Sequence, residues 1–296
     1  MWQSNIVLKR KVLRVVFSIL IFIGLSANVN AEKLVFVKSS EQDFSHPHDL
    51  VFFPKTSYLY VSDMNNHVIK VLDPNTLEVL SIIGEGELSA PHDVAIDHMG
   101  RLLVADSGNH RVVIYQLNGL KANIVGEIQN NMLSPEGVTS DNEGNLYVAN
   151  AGNNLILKYK SGKLLKKSGG SGSVTGKFDR AHDIEYFQGK LFIGDPGNNR
   201  IQVLDEELNF VKIIQAAGKS FNEPKYLGLD KLGRLYIADQ HNDALRVFDE
   251  TGKESHRVNR AGDKSFDRIE GVEINEKRVW VSDTYNDRIV LFHWKN

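Results

Sequence analysis

Cysteine is missing from all 296 residues. This excludes disulfide staples and a lipid anchor on cysteine, so core packing alone must hold the chain together. A membrane-spanning helix needs roughly 20 apolar residues, and the apolar run Val15 to Leu25 has 11. There is no nucleophile elbow, no phosphate-binding loop and no helical periodicity. Basic charge is in slight deficit, with 35 Lys and Arg against 37 Asp and Glu. The first 31 residues read as a secretory signal peptide. Lys9, Arg10, Lys11 and Arg14 precede the apolar run, and Val29-Asn30-Ala31 ends on a small residue. Cleavage there would remove four basic residues and no acidic ones, leaving 31 basic against 37 acidic residues and a formal charge of −6. An exported, periplasmic or secreted monomer without a stable membrane anchor is expected. Nucleic acid, which rewards a basic face, is not an expected partner.

What the chain does have is a repeat. "LYVSDMNNHVIKVLD" (59–73) returns as "LLVADSGNHRVVIYQ" (102–116), "LYVANAGNNLILKYK" (146–160), "LFIGDPGNNRIQVLD" (191–205), "LYIADQHNDALRVFD" (235–249) and "VWVSDTYNDRIVLFH" (279–293). The anchors Asp63, Asp106, Asn150, Asp195, Asp239 and Asp283 are 43, 44, 45, 44 and 44 residues apart. Alternating apolar residues on either side of an Asp-x-x-Asn centre predict two strands joined by a turn, with the carboxylate accepting backbone N–H groups. A short strand upstream, such as "HDVAID", and a variable one downstream, such as "TLEVLSIIG" (76–84), bring each unit to four strands. Six such units predict an all-β, six-bladed β-propeller over residues 32–296. The last unit lacks its fourth strand, and "KLVFVK" (33–38) is expected to supply it and close the ring. Arg111, Arg200, Arg246 and Arg288 are expected to pair between blades. His67, His110 and His241 are read as surface residues. The lysines at 158, 160, 163, 166 and 167 are read as guarding a solvated edge that runs into the Gly/Ser-rich stretch 166–178.

The copies "PHDVAIDHMGRLLVADSGNHRVVIY" (91–115) and "PEGVTSDNEGNLYVANAGNNLILKY" (135–159) resemble the NHL repeat. That resemblance implies a propeller that serves as a binding platform or carries an enzyme. The His-Asp pairs in "HPHDLVF" (46–52), "APHDVAID" (90–97) and "RAHDIEY" (180–186) also resemble the peptidyl-α-hydroxyglycine α-amidating lyases. This second resemblance implies a channel zinc on His48, His92 and His182 and a calcium involving Asp49, Asp93 or Asp183. It also implies a catalytic tyrosine at Tyr285, in "SDTYNDRIV".

The residue opening each innermost strand should lie near the axis. These are His48, His92, Glu136, His182, Lys225 and Glu270. Three imidazoles could hold a metal with an open position. Glu136 and Glu270 could serve as acid–base groups, and Lys225 could bind a carboxylate. The Asp after each His has a second reading, as a bond to backbone N–H groups. The sequence supports three functions: a small-ligand or peptide binder at the channel mouth, a metal-dependent lyase or hydrolase, and a scaffold for a protein partner.

Overall fold

In the computed structural model, which describes residues 32–216 and 218–296, six four-stranded antiparallel sheets form the blades. The inner strands are Pro47–Phe53, Pro91–Ile96, Pro135–Ser140, Ile184–Phe187, Pro224–Leu229 and Val272–Asn275 in blades one to six. The expected closure occurs. Lys33–Ser39 pairs antiparallel with Arg288–Lys295 and becomes the outer strand of blade six, joining the two ends of the propeller. The expected signal peptide, residues 1–31, lies outside the described residues. In blades four and six the inner ladder starts later than the pattern suggests, at Ile184 and Val272. His182 and Glu270 still join it, through N–H bonds to the carbonyls of Gly194 and Ser282 at 3.0 Å each.

One carboxylate per blade organises the hairpin. Asp63, Asp106, Asp195, Asp239 and Asp283 are fully buried. Each accepts a 2.7–2.9 Å bond from the N–H of its own blade's entry loop, at Ser45, Ser89, Asp179, Asn222 and Asp267. The side chain of the Asn three residues on (Asn66, Asn109, Asn198, Asn242, Asn286) donates a second bond. A cation completes the set: Lys70, Arg111, Arg200, Arg246 or Arg288, at 2.7–2.9 Å. The arginines therefore pair within their own blade and not between blades, because the anchor carboxylate lies beside them on the same hairpin. Blade three supports the electrostatic logic. Among the described residues no cation pairs with its anchor: the positions five and seven residues on, which hold the cation in the other blades, are Leu155 and Leu157, and the anchor is the neutral Asn150.

Neighbouring blades are latched at the turns. The residue closing each turn, in the left-handed region, accepts an N–H from the next blade: His67 from Ala90, His110 from Ser134, Asn154 from Ala181, Asn199 from Glu223, Asp243 from Arg268 and Asp287 from His46. His67 and His110 are thus seam acceptors that also happen to be exposed. Lys158 is not a solvated edge residue. It is buried, and its ammonium reaches across a seam to Glu207 at 2.7 Å.

An anchor carboxylate removed from beside its cation leaves an uncompensated buried charge, at a cost of about 3–5 kcal/mol. Asp283→Ala should lose stability on that scale in urea unfolding. Asn150→Asp should lose at least about 1 kcal/mol, since the amide's bond to the Asn131 carbonyl at 3.1 Å becomes a repulsion. Adding Leu155→Arg should recover part of that loss. A neutral Asn150→Asp would contradict the pairing argument.

Candidate functional site

Four inner strands begin at proline, and each shows a register shift directly after it, as between Pro47 and Leu50 or Pro91 and Val94. Such a bulge re-aims side chains, and the residues after the prolines point at the axis. The structure brings the expected ring together at the start of these strands. The His48 and His92 ring centres are 4.6 Å apart, and those of His92 and His182 are 6.2 Å apart. Lys225 Nζ bonds Glu270 Oε1 at 3.0 Å. His182 Nε2 lies 3.4 Å from Glu136 Oε2.

Two further residues, not anticipated from sequence, complete the cup. Gln240 donates to Glu270 Oε1. Tyr226 forms the floor: it is fully buried, its ring meets His182 edge-on at 4.9 Å, and its hydroxyl donates to the His92 carbonyl at 3.1 Å. That bond crosses the axis from blade five to blade two. Tyr226 occupies the repeat position that holds Asp49, Asp93 and Asp183 in other blades. A bulky residue in a column otherwise made of Asp and Gly was the available signal in the sequence.

The cup is nearly closed. Glu136 keeps 22 % of its side chain exposed and Lys225 keeps 14 %, whereas His48, His182 and Glu270 are buried. Burial, with Lys225 nearby, pushes the His48 and His182 imidazoles well below their ordinary value, and burial with His48 alongside pushes His92 down to about 3. All three are neutral at physiological pH. His92 Nδ1 donates to the Ala90 carbonyl at 3.0 Å, leaving Nε2 as the acceptor. Burial pushes Glu136 up to about 7, so it both gives and takes a proton near neutrality. Three buried polar atoms here have no partner: His48 Nδ1, His182 Nδ1 and Glu270 Oε2. His48 Nδ1 and Glu270 Oε2 are 3.1 Å apart but off the hydrogen-bond direction, so neither satisfies the other.

The lyase resemblance implies a zinc on His48, His92 and His182. Among the described residues no group of three His, Cys, Asp or Glu is disposed to hold a metal ion. The aspartates follow their backbone reading. Asp49, Asp93 and Asp183 accept N–H bonds from Val94, Val138 and Leu227 of the next blade, at 3.4, 2.5 and 2.7 Å. Tyr285 is not part of the ring. It stands on the rim, 42 % exposed, with its ring 4.6 Å from that of His46 and Arg268 over its face at 4.7 Å.

Residues 88–115 match the NHL repeat family model, and they span one of the six copies described above. An 86-residue stretch is 34% identical to NHL repeat-containing protein 2 of Gallus gallus; it covers 24% of this chain and 12% of that protein. This chain therefore corresponds to a small part of that relative. Among solved structures, an auxiliary nutrient binding protein from Bacteroides thetaiotaomicron is similar with a TM-score of 0.64 and 15% identity, over 86% of this chain and 70% of that one. A catalytically inactive virginiamycin B lyase from Staphylococcus aureus with quinupristin is similar with a TM-score of 0.63 and 13% identity, over 88% and 99%. Likeness at these identities concerns the fold alone.

Next to the aspartates the channel wall carries Glu185 and Glu273. Burial raises all five acids, Asp93 to about 6 and Glu273 to about 8. Glu185 and Glu273 keep some surface, yet the enclosing wall still penalises their charge. A raised carboxyl holds its proton in the folded state after the unfolded chain has released it. Folding stability therefore falls as pH rises toward the folded pKa. The depressed histidines act in the opposite sense, but only below about pH 6.5. Between about pH 6.5 and pH 8 the melting temperature should fall. Glu273→Gln, which keeps an acceptor for the Phe52 N–H, should flatten that fall. Identical slopes for variant and wild type would refute the assignment.

Proposed function

From the premise that this chain is an NHL-repeat six-bladed β-propeller, we propose that it is an exported binding protein whose cup holds a small hydroxyl- or amine-bearing molecule. The observation that carries this reading is the trio of unpartnered buried atoms, His48 Nδ1, His182 Nδ1 and Glu270 Oε2. An unmet buried polar group costs about 1–3 kcal/mol, and three in one cup favour a ligand that satisfies them. Glu270 Oε2 can only accept, and a neutral imidazole nitrogen accepts or donates according to tautomer. Hydroxyl groups suit all three. The narrow opening, flanked by Glu136 and Lys225, restricts entry to a small molecule or one end of a peptide.

Thermal-shift screening and calorimetry with a panel of sugars, polyols, sugar lactones and primary amines test this reading. At least one member should bind saturably, and His92→Ala should weaken it at least tenfold. No saturable binding across the panel, or full affinity in His92→Ala, would overturn it. Metal analysis of untagged protein tests the three histidines separately. Negligible zinc, calcium, iron and manganese in the wild type removes the metal-dependent reading.

A second reading draws on the Glu136–His182 pair. A carboxyl poised at about 7 beside a neutral imidazole is suited to proton transfer. If the cup turns over lactones or hydroxyglycine peptides, Glu136→Gln should lower kcat by about 10²- to 10⁴-fold. Equal turnover by the two proteins would eliminate Glu136 as the acid–base group.

A further inference from the structure

The opposite ends of the inner strands carry a second, unrelated recess. In blades two, three and five the turn after the inner strand is built on a carboxylate: Asp97, Asp141 or Asp230 accepts backbone N–H groups and clasps Arg101, Asn145 or Arg234. In blade four a two-residue turn, Gln188-Gly189, replaces it, and Phe187 stands where the others have Asp. Both turn residues adopt positive φ, 48° and 76°, as a tight hairpin turn requires. The shortened turn leaves a groove between blades four and five with a volume of about 340 Å³.

The walls of this groove are apolar and its lip is basic. Phe187 and Phe192 are half-buried along it, and Leu232 is 68 % exposed at its edge. Lys190, Lys212 and Lys231 surround it, and all three are exposed. The lysine ion pairs among the described residues belong to Lys70, Lys158, Lys166 and Lys225, so these three lysines have none. Two acids also line the groove. Asp249 is engaged in its own turn, accepting from the Thr251 and Lys253 N–H groups, and Glu250 is exposed. Three uncommitted cations thus face one free carboxylate, on a chain whose formal charge is −2. The volume lies at the lower end of the range for small-molecule pockets.

We propose that this groove binds a small aryl or acyl carboxylate, with its apolar part against Phe187 and Phe192 and its carboxylate among the three lysines. The site is independent of the cup. The phenyl ring or chain is removed from water, and the exposed cations add attraction that salt screens.

Calorimetry with 4-phenylbutyrate, and with its uncharged amide as control, tests the proposal. The carboxylate should bind saturably, and more weakly as salt is raised. The amide should bind about tenfold more weakly, the scale of several exposed charge contacts together. K190Q/K212Q/K231Q, which changes only exposed side chains, should weaken the carboxylate to the level of the amide. Leu232→Asp should weaken both ligands. His92→Ala should leave both unchanged, which separates the groove from the cup. Equal affinity for acid and amide, an unaltered triple variant, or no saturable binding would overturn the proposal.

Discussion

The buried anchor carboxylate of each hairpin is the contact on which this propeller depends. It joins three things that a four-stranded sheet would otherwise leave free: the entry loop, through a backbone N–H; the turn, through the following Asn; and the third strand, through a cation. Burial still raises the Asp283 carboxyl despite all three donors. In blade six the cluster is therefore not a reservoir of surplus stability. Its effect is specification, since a carboxylate in that place tolerates only one arrangement of loop, turn and cation. The neutral Asn150, in the blade without an anchor cation, shows the same rule with both charges absent.

With the hairpins fixed, the seams follow. Each turn ends on an acceptor that reaches the next blade's entry loop, and the sixth, Asp287, reaches back to His46. Entry loops held at both ends fix where each inner strand begins. The ring of His48, His92, Glu136, His182, Lys225 and Glu270 is thus set by scaffold contacts in which those side chains take little part. Their chemistry is free to vary from blade to blade, and it does: three neutral imidazoles, two carboxylates and an ammonium share one position of the repeat.

Much of this was legible in the sequence because the repeat aligns equivalent positions. The six blades, the closing strand, the anchor turns and the axial ring all follow from columns that recur about every 44 residues. What escaped notice depends on partners outside the column. Lys158 reads as an edge lysine until Glu207, 49 residues later, is seen across the seam. The arginines read as lateral links because sequence spacing does not say which side of a hairpin a guanidinium lies on. Tyr226 meets its partner on the far side of the axis, 134 residues away. The repeat column places the three histidines near one another, but not the orientation of their rings: the Ala90 carbonyl holds His92, while Nδ1 of His48 and of His182 has no partner.

Tyr226 has a mechanical meaning as well. A hoop of six stiff segments deforms most easily by going oval, lengthening one diameter while shortening another. A rigid phenol spanning from one segment to the one facing it acts as a strut along one diameter. It also seals the floor of the cup, so that a solute entering past Glu136 and Lys225 meets a closed end.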